Sequence, residues 1–559
     1  MRYFNYLEII SNLQKVMKNI KVVFFFIFLL CLIEGVLTSV SITSIIPIVS
    51  SLTENQNSQN YFLKNLIGKF NFEIRDLILI LSFILLFKII IVISRKVLSI
   101  ISAEELRSHL HTYILKSILS KNYLNLMKFP RGELIEKLAR NTDSTSMMIF
   151  KITNLLSNLI VIIALIITSF LVNFYITISL IVLFIIIYFF IIKNYLTTVN
   201  EIGKQKTIKQ ENLTSLFSSI IYSIKEVYLL NSKNFFLRKT KNKTESLKQT
   251  RIRSKFLISL PQDIIEFLFV LSVATIFIVF NYENVIKTYI PNLVFFFLIF
   301  YRLYQSSINF IKEIANIESI KYAYANIYDE FIKENNFIEF SRRENIYETL
   351  FQKVIRISKL YFSFYSSEAN KNLELLNNVN IKIQKGKITQ IIGESGSGKT
   401  TLLDLIVKLY SPSKGKIFFD QKNISEINEE TLRKNIGYVT QNCGLFEGSV
   451  IENIILEKEF IKSNLNEIMK ICDLQKINYK KIIDDGGKNL SGGEIKRISL
   501  ARVLYQEPEI IIIDETFASI DEKSEKKIIK QLKNKKLTII LISHRKSSQK
   551  YVDKIYNVS

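Results

Sequence analysis

At 559 residues the chain is too long for one domain. Hydrophobic residues make up 48% and charged ones 22%, with a mean hydropathy of +0.22, which excludes an ordinary soluble globule and suggests apolar spans joined to a charged globular part. The formal charge of +24 is spread over both halves rather than gathered in a tail, so no nucleic-acid partner is expected.

Residues 1–21 carry Arg2, Lys15, Lys18 and Lys21 and have some amphipathic character, as in a helix lying on a membrane surface. The apolar run over 22–50 is longer than a signal-peptide core and reads as a retained span. Glu34 sits inside it, where a carboxylate is costly unless it faces water or a partner. Five more spans are expected near 77–100, 153–173, 175–196, 256–281 and 289–311. The segments 102–151 and 197–255 are rich in Lys and Arg, whereas 172–175 and 281–288 carry almost none. Both termini and the two long loops are therefore expected inside. The long loops keep helical periodicity, so the spans should continue as helices into the cytoplasm.

Between the first two spans, Phe62, Leu63, Leu66, Ile67 and Phe70 share one helical face. This predicts a short amphipathic helix on the outer surface; a plain connector resting on the membrane fits the same pattern. Within the spans lie Lys88, Arg95 and Arg302. Such cations either face a cavity, where they suit an anionic headgroup, or snorkel or pair with Glu34. The three cysteines, Cys31, Cys443 and Cys472, have neither metal-site nor disulfide-framework spacing and read as buried free thiols.

A charged linker over 336–350 separates a membrane domain, 1–335, from a second domain, 351–559. Ile355–Ile383 reads as strands of a small antiparallel sheet. Gly393-Glu394-Ser395-Gly396-Ser397-Gly398-Lys399-Thr400 fits G-x-x-x-x-G-K-[ST], between an expected strand at Ile388–Ile392 and a helix at Thr401–Tyr410. The glycines let backbone N–H groups cradle phosphate oxygens, Lys399 reaches the terminal phosphates, and Thr400 offers a hydroxyl to Mg²⁺. Further on, Ser491-Gly492-Gly493 opens a helical run, a ready anion site. Ile510–Ile513 reads as a buried parallel strand, with Asp514-Glu515 at the end where open α/β sheets place ligands. His544 follows the apolar strand Leu537–Ile542.

With these motifs in hand, nearly the whole chain resembles a half-transporter of the ATP-binding-cassette exporter class. Leu490–Glu494 resembles the family signature, Gly393–Thr400 the Walker A loop and Ile510–Asp514 the Walker B strand. Gln441 after Tyr438-Val439-Thr440 resembles the Q-loop, Ser519-Ile520-Asp521 the D-loop, and His544 the switch histidine. The implied fold is an α-helical membrane domain of six spans plus an α/β P-loop nucleotide-binding domain. ATP and Mg²⁺ are the implied cofactors. Gly393, Ser395, Gly396, Gly398, Lys399, Thr400 and Thr401 would hold the phosphates, and Thr400, Gln441 and Asp514 the metal. Glu515 would polarise the attacking water, and His544 would contact the γ-phosphate. Phe364 or Tyr365 would stack on adenine, with Phe364 preferred by spacing from Leu360 and Phe362.

The resemblance also implies that Ser491 and Gly493 act on ATP held by a second copy of the chain, so a homodimer is expected. Arg140–Thr145 and Leu230–Phe236 are the expected coupling helices. Glu494, where Gln is more usual, and Phe517, where a small residue is usual, depart from the family pattern, and the usual trailing helices are expected to be short or missing. In layout the chain is most similar to flippases of polyprenyl-diphosphate-linked oligosaccharides, in a bacterial inner membrane with the cassette in the cytoplasm. A general lipid or multidrug exporter is the alternative. A peptide exporter ranks lower, since no protease domain precedes the spans. A soluble cassette ATPase fails on the six spans, and an ATP-binding channel or receptor would lack the Glu515 and His544 pair.

Overall fold

The computed structural model describes all residues except 1–5, 53–73, 122, 128, 173, 175–176, 179–192, 280–282, 334–348, 367–370, 544, 546–548 and 559. It divides into two compact units: residues 1–121 with 125–339, and residues 122–124 with 340–559. The predicted outer-surface helix at 62–70 and the predicted span at 175–196, nearly in full, lie outside the described residues.

In the first unit the chain runs as α1 (Tyr6–Leu13), α2 (Ile20–Thr43), α3 (Ile45–Leu52) and α4 (Ile74–Ser120), then the short α5 (Tyr123–Leu126) and α6 (Arg131–Glu136). It continues as α7 (Thr142–Val172), α8 (Lys193–Tyr222), the short α9 (Ile224–Leu229), α10 (Lys233–Val279) and α11 (Glu283–Ile327). Among the described residues, three helical stretches are long and apolar enough to cross a membrane: Ile20–Val49, Arg75–Ser120 and Arg131–Leu171. The expected spans at 256–281 and 289–311 fall on α10 and α11. The 47 residues of α4 give a rod of about 70 Å at 1.5 Å per residue, against about 30 Å of hydrocarbon. The helices thus run well past the predicted spans.

Of the two expected coupling positions, Arg140–Thr145 lies away from a helix break and Leu230–Phe236 lies at one. Lys137–Asn141 is a π-helical stretch that leads straight into α7, so Arg140–Thr145 lies inside a continuous helix. Leu230–Phe236 straddles a turn, with Asn231 in the left-handed region (φ 49°), and the first residues of α10. The short helices set off from the long rods here are α5 and α9, whereas α6 runs through the π-helical stretch into α7. Pro130 sets the break before α6, since proline removes the N–H that a continuing helix needs.

Four helices meet at a buried polar network. Glu34 of α2 accepts hydrogen bonds from Arg95 Nε of α4 at 2.7 Å and from Ser157 Oγ of α7 at 2.9 Å. Arg95 Nη1 also donates to Asn154 Oδ1 at 3.1 Å, and Asn154 Nδ2 donates to Glu313 of α11 at 3.3 Å. Arg95 therefore pairs with Glu34, which settles the choice that the sequence left open for both. Glu34 and Arg95 are each about 5% exposed, too buried for either to stand alone. Ser157→Ala should remove one donor to Glu34 and cost about 1 kcal/mol, the scale of side-chain hydrogen bonds between membrane helices. The expected result is a downward shift of a few degrees in detergent-solubilised thermal unfolding; an unchanged transition would mean that water replaces the hydroxyl.

The second unit holds two main sheets. The antiparallel sheet has the order β2-β1-β4-β5, with β1 Val354–Ser366, β2 Lys371–Gln384, β4 Lys414–Phe419 and β5 Lys422–Asn423. The parallel sheet has the order β11-β3-β10-β9-β6, with β3 Ile388–Ile392, β6 Ile436–Val439, β9 Ile510–Asp514, β10 Thr538–Ile542 and β11 Lys554–Asn557. Strand β9 is buried along its whole length, so it needs cover on both faces. Its side chains alternate accordingly. Ile510 and Ile512 pack in one core with Leu402, Leu405 and the antiparallel sheet; Ile511 and Ile513 pack in a second with Ile498, Ala501 and Leu504. These last three lie on α16 (Gly492–Tyr505), which follows α12 (Lys399–Ile406), α13 (Glu429–Asn435), α14 (Val450–Ile455) and α15 (Lys462–Ile471) and precedes α17 (Glu522–Asn534).

Candidate nucleotide site

The C-terminal ends of β3 and β9 carry the two halves of the site. After β3 the chain turns through Gly393, where a Cβ would come within 2.2 Å of the Val558 carbonyl oxygen. Gly398 takes φ +83° and would press a Cβ to 2.7 Å from Leu376. Between them Glu394, Ser395 and Gly396 are exposed. Helix α12 starts at Lys399, two residues before the expected Thr401, and ends at Ile406, since Lys408 adopts a positive φ. The Lys399 ammonium is buried and folded back on the loop, donating to the Gly393 carbonyl at 3.0 Å and that of Glu394 at 2.6 Å. A cation held by carbonyls inside a loop of free N–H groups is set to exchange them for phosphate oxygens.

Thr400 Oγ1 donates to Asp514 Oδ2 at 3.0 Å, which joins the end of the loop to the end of β9. Tyr438 of β6 adds a longer hydrogen bond to the same oxygen, at 3.4 Å. Burial raises Asp514 above the ordinary carboxylate range; Thr400 pulls it back, Glu515 pushes it up and Tyr438 pulls it back again. Asp404, one helical turn after Thr400, is pushed up to about 6, chiefly by burial. Gln441 Nε2 donates to Glu515 Oε2 at 2.6 Å, so the amide oxygen stays available. Glu515 lies in the left-handed region at φ 46°, a backbone cost of about 1–2 kcal/mol for a residue with a Cβ.

The donor set suits a hard cation. A threonine hydroxyl, one buried carboxylate and an amide oxygen match the oxygen preference of Mg²⁺, which completes its shell with phosphate and water. Among the described residues no group of three or more His, Cys, Asp or Glu stands ready to hold a metal alone. Thr401 follows in the first turn of α12.

Ser491 is the N-cap of α16. Its hydroxyl accepts from Glu494 N at 3.3 Å and donates to the Glu494 carboxylate at 2.8 Å, while Ser491 N donates to that carboxylate at 2.7 Å. The backbone bond from Ser491 leads in holding Glu494 below the usual range. Glu494 thus closes a capping box, which Gln at this position would also close. Gly493 lies against Ser519, 3.3 Å from its carbonyl oxygen at the Cβ position, which puts the signature turn beside the D-loop. Asp521 caps α17 through Ser524 N at 2.9 Å. Phe517 is 1% exposed and belongs to the second core, so its bulk is absorbed by packing.

His544 and the side chains of Phe364 and Tyr365 lie outside the described residues. The backbone of Phe364 pairs with Leu373 in β1–β2, but β1 carries register shifts between Ile357 and Leu360, Leu360 and Phe362, and Phe362 and Ser363. Each shift changes the facing of the residues after it, so the alternation that preferred Phe364 does not carry across them. Sequence reasoning passed over Arg545. Its guanidinium pairs with buried Glu525 at 2.8 Å and donates to the Ile520 carbonyl at 2.9 Å, tying the segment after β10 to the D-loop. No local pattern announces that pairing across 20 residues.

A phosphate loop joined through Asp514 to a buried parallel strand, later in the chain than a unit of long apolar helices, defines an ATP-binding cassette carried with its own membrane region. The chain belongs to the ABC transporter family. The family model for the ABC transporter transmembrane region matches residues 22–308, and the ABC transporter model matches 376–518. The chain is 34% identical over 220 residues to the lactococcin-G-processing and transport ATP-binding protein LagD of Lactococcus lactis, covering 38% of this chain and 31% of that one. It is 33% identical over 235 residues to a putative export ATP-binding/permease protein of Rickettsia conorii, covering 40% and 39%. The matched stretch thus spans about a third of the curated relatives. In fold the chain is similar to a bacterial Atm1-family ABC exporter solved with ATP bound, with a TM-score of 0.76 at 19% identity over 95% of this chain and 92% of that one.

Proposed function

We propose that the chain is half of an ATP-driven exporter, an ATPase coupled to transport, that works as a homodimer in a bacterial inner membrane. The convergence of Lys399, Thr400, Asp514, Gln441 and Glu515 supports this reading. In it Gly393, Ser395, Gly396, Gly398, Lys399 and Thr401 hold the phosphates, and Thr400, Gln441 and Asp514 hold Mg²⁺, which neutralises charge on the phosphates when bound. Glu515 takes the proton of the attacking water, His544 contacts the γ-phosphate, and an aromatic at Phe364 or Tyr365 covers adenine. Ser491 and Gly493 serve the ATP of the second copy.

The trans role has its own test. In a mixture of Ser491→Arg and Lys399→Ala chains, both lesions of a mixed dimer fall on one site and the other site is whole. Mixing should restore a measurable fraction of the ATPase lost in either homodimer. A mixture as inactive as its components would put Ser491 in its own chain's site, or make the two sites dependent.

The proposed cargo is an amphiphile with an anionic head, specifically a polyprenyl-diphosphate-linked oligosaccharide. One observation carries this. Lys88 lies within electrostatic reach of Arg302 and of Glu34, whose carboxylate is already engaged by Arg95 and Ser157. Among the described residues Arg302 Nε is buried with no hydrogen-bond partner, and its Nη1 donates to Gln305 at 3.3 Å. Two neighbouring cations at membrane depth suit a diphosphate. A general lipid or multidrug exporter is the second reading, and the lipid-stimulation experiment in the Discussion separates the two.

A further inference from the structure

Two arginines far apart in the chain meet the D-loop from opposite sides. The short helical turn Thr516–Ser519 runs into an extended Ile520, and Asp521 then caps α17. Ile520 stands ahead of the N-cap, so its carbonyl lies outside the hydrogen-bond ladder of α17, yet the residue is only 2% exposed. A buried carbonyl needs a donor. Arg545 supplies it: its Nη1 donates to the Ile520 carbonyl at 2.9 Å and to Glu525 Oε2, near the start of α17, at 2.8 Å. On the other side, Arg497 of α16 has Nη1 4.0 Å from Asp521 Oδ2 and 3.8 Å from where a Cβ on Gly493 would stand. The same Cβ position is 3.3 Å from the Ser519 carbonyl oxygen. One line of contacts thus leads from the end of β10, through the D-loop, to the signature turn.

The pair of Arg545 with Glu525 is poorly built for stability. Glu525 is fully buried, and its Oε1 has no hydrogen-bond partner among the described residues. Taking a carboxylate out of water can cost more than one charge-assisted hydrogen bond returns. What the arrangement fixes is position. A single nitrogen, Arg545 Nη1, holds α17 through Glu525 and the D-loop through Ile520. The backbone of Arg545 is held in turn: its N–H donates to Ser543 Oγ at 3.2 Å, and the Ser543 carbonyl accepts from Gln390 Nε2 of β3 at 2.7 Å. The D-loop, with the signature turn against it, is therefore anchored to the parallel sheet.

We propose that Arg545 is a positioning residue for the ATP of the second copy: with Glu525 it fixes the D-loop, and through it the signature turn of its own chain, where Ser491 and Gly493 meet nucleotide held by the other chain. The inference rests on the trans reading of Ser491 and Gly493. Arg545 touches no nucleotide in this account. Standing directly after His544, it would be assigned by sequence to its own chain's ATP; its contacts lead to the other site.

The test uses full-length chains in nanodiscs and the mixture of Ser491→Arg and Lys399→Ala chains, in which only the mixed dimer has a whole site. That site holds ATP on the Ser491→Arg chain and takes its signature turn from the Lys399→Ala chain. Arg545→Met alone would strand the Glu525 charge, so Glu525→Met accompanies it, an apolar pair being tolerated where a lone buried charge is not. Carried by the Lys399→Ala chain, the two changes should lower the restored ATPase on the order of tenfold or more, the scale of a small misplacement. Carried by the Ser491→Arg chain, they should leave most of it. In a homodimer without other changes they should lower kcat while binding of a fluorescent ATP analogue holds. With the parent mixture active, a loss that is equal in the two placements, or larger on the ATP-holding chain, overturns the proposal alone. A parallel loss of nucleotide binding in the homodimer also overturns it and makes the pair packing of the cassette. If the parent mixture stays inactive, the trans reading fails and the proposal with it.

Discussion

Replacing Glu515 by Gln should lower ATP turnover on the order of a hundredfold or more, the upper part of the range for general-base catalysis. That loss corresponds to about 2.7 kcal/mol of barrier. The substitution keeps the shape and the hydrogen-bonding capacity toward Gln441, whose Nε2 lies 2.6 Å from the carboxylate. It removes the charge that draws a proton from water. The groups proposed to hold the phosphates lie on the other side of the site, on the loop after β3, and are untouched. Nucleotide binding should therefore persist, and ATP-bound dimers should accumulate because the step that releases them is blocked. Steady-state phosphate release and equilibrium nucleotide binding on the same purified protein check both halves. Hydrolysis at the unmodified rate would remove Glu515 from the mechanism. Loss of binding together with turnover would make Glu515 a nucleotide-holding group instead.

The left-handed backbone at Glu515 bears on the same question. A residue with a Cβ is held at φ 46° there, directly after a fully buried strand, with its N–H donating to the Ile542 carbonyl at 3.1 Å. Strain of that kind survives only where the surroundings fix it. Here it turns the chain at the end of β9, one residue after Asp514, where Gln441 reaches it.

What the sequence announced and what it hid follow from the range of the forces involved. Strands β3 and β9 have the bounds read from Ile388–Ile392 and Ile510–Asp514; β9, covered on both faces, is written as an unbroken apolar run up to Asp514. The phosphate loop is equally local: its glycines, Lys399 and Thr400 are fixed by backbone geometry within eight residues. The pairing of Glu34 with Arg95 joins residues 61 apart, and that of Glu34 with Ser157 joins residues 123 apart. Periodicity says that such groups need partners but does not choose them. The helix breaks are equally hard to read. Arg140–Thr145 and Leu230–Phe236 both keep helical periodicity, yet the first lies within a continuous helix while the second holds a break at the left-handed Asn231.

Arg302→Ala should abolish the stimulation of ATP hydrolysis by a polyprenyl-diphosphate glycolipid. Guanidinium can bind phosphate oxygens through two parallel hydrogen bonds and keeps its charge in a low-dielectric setting, which an ammonium such as that of Lys88 does less well. Among the described residues the side-chain hydrogen bond of Arg302 goes to Gln305 within its own helix, and one buried nitrogen has no partner, which leaves donors for a ligand. The measurement is phosphate release from reconstituted protein with and without the glycolipid, read as the stimulated increment over the unstimulated rate of the same preparation. A stimulated increment equal to that of the unmodified protein would place Arg302 in packing or at an interface. Stimulation of the unmodified protein by neutral amphiphiles but by no diphosphate lipid would favour the general exporter. Stimulation that survives Arg302→Ala but not Lys88→Ala would keep the anionic cargo and move its recognition to α4.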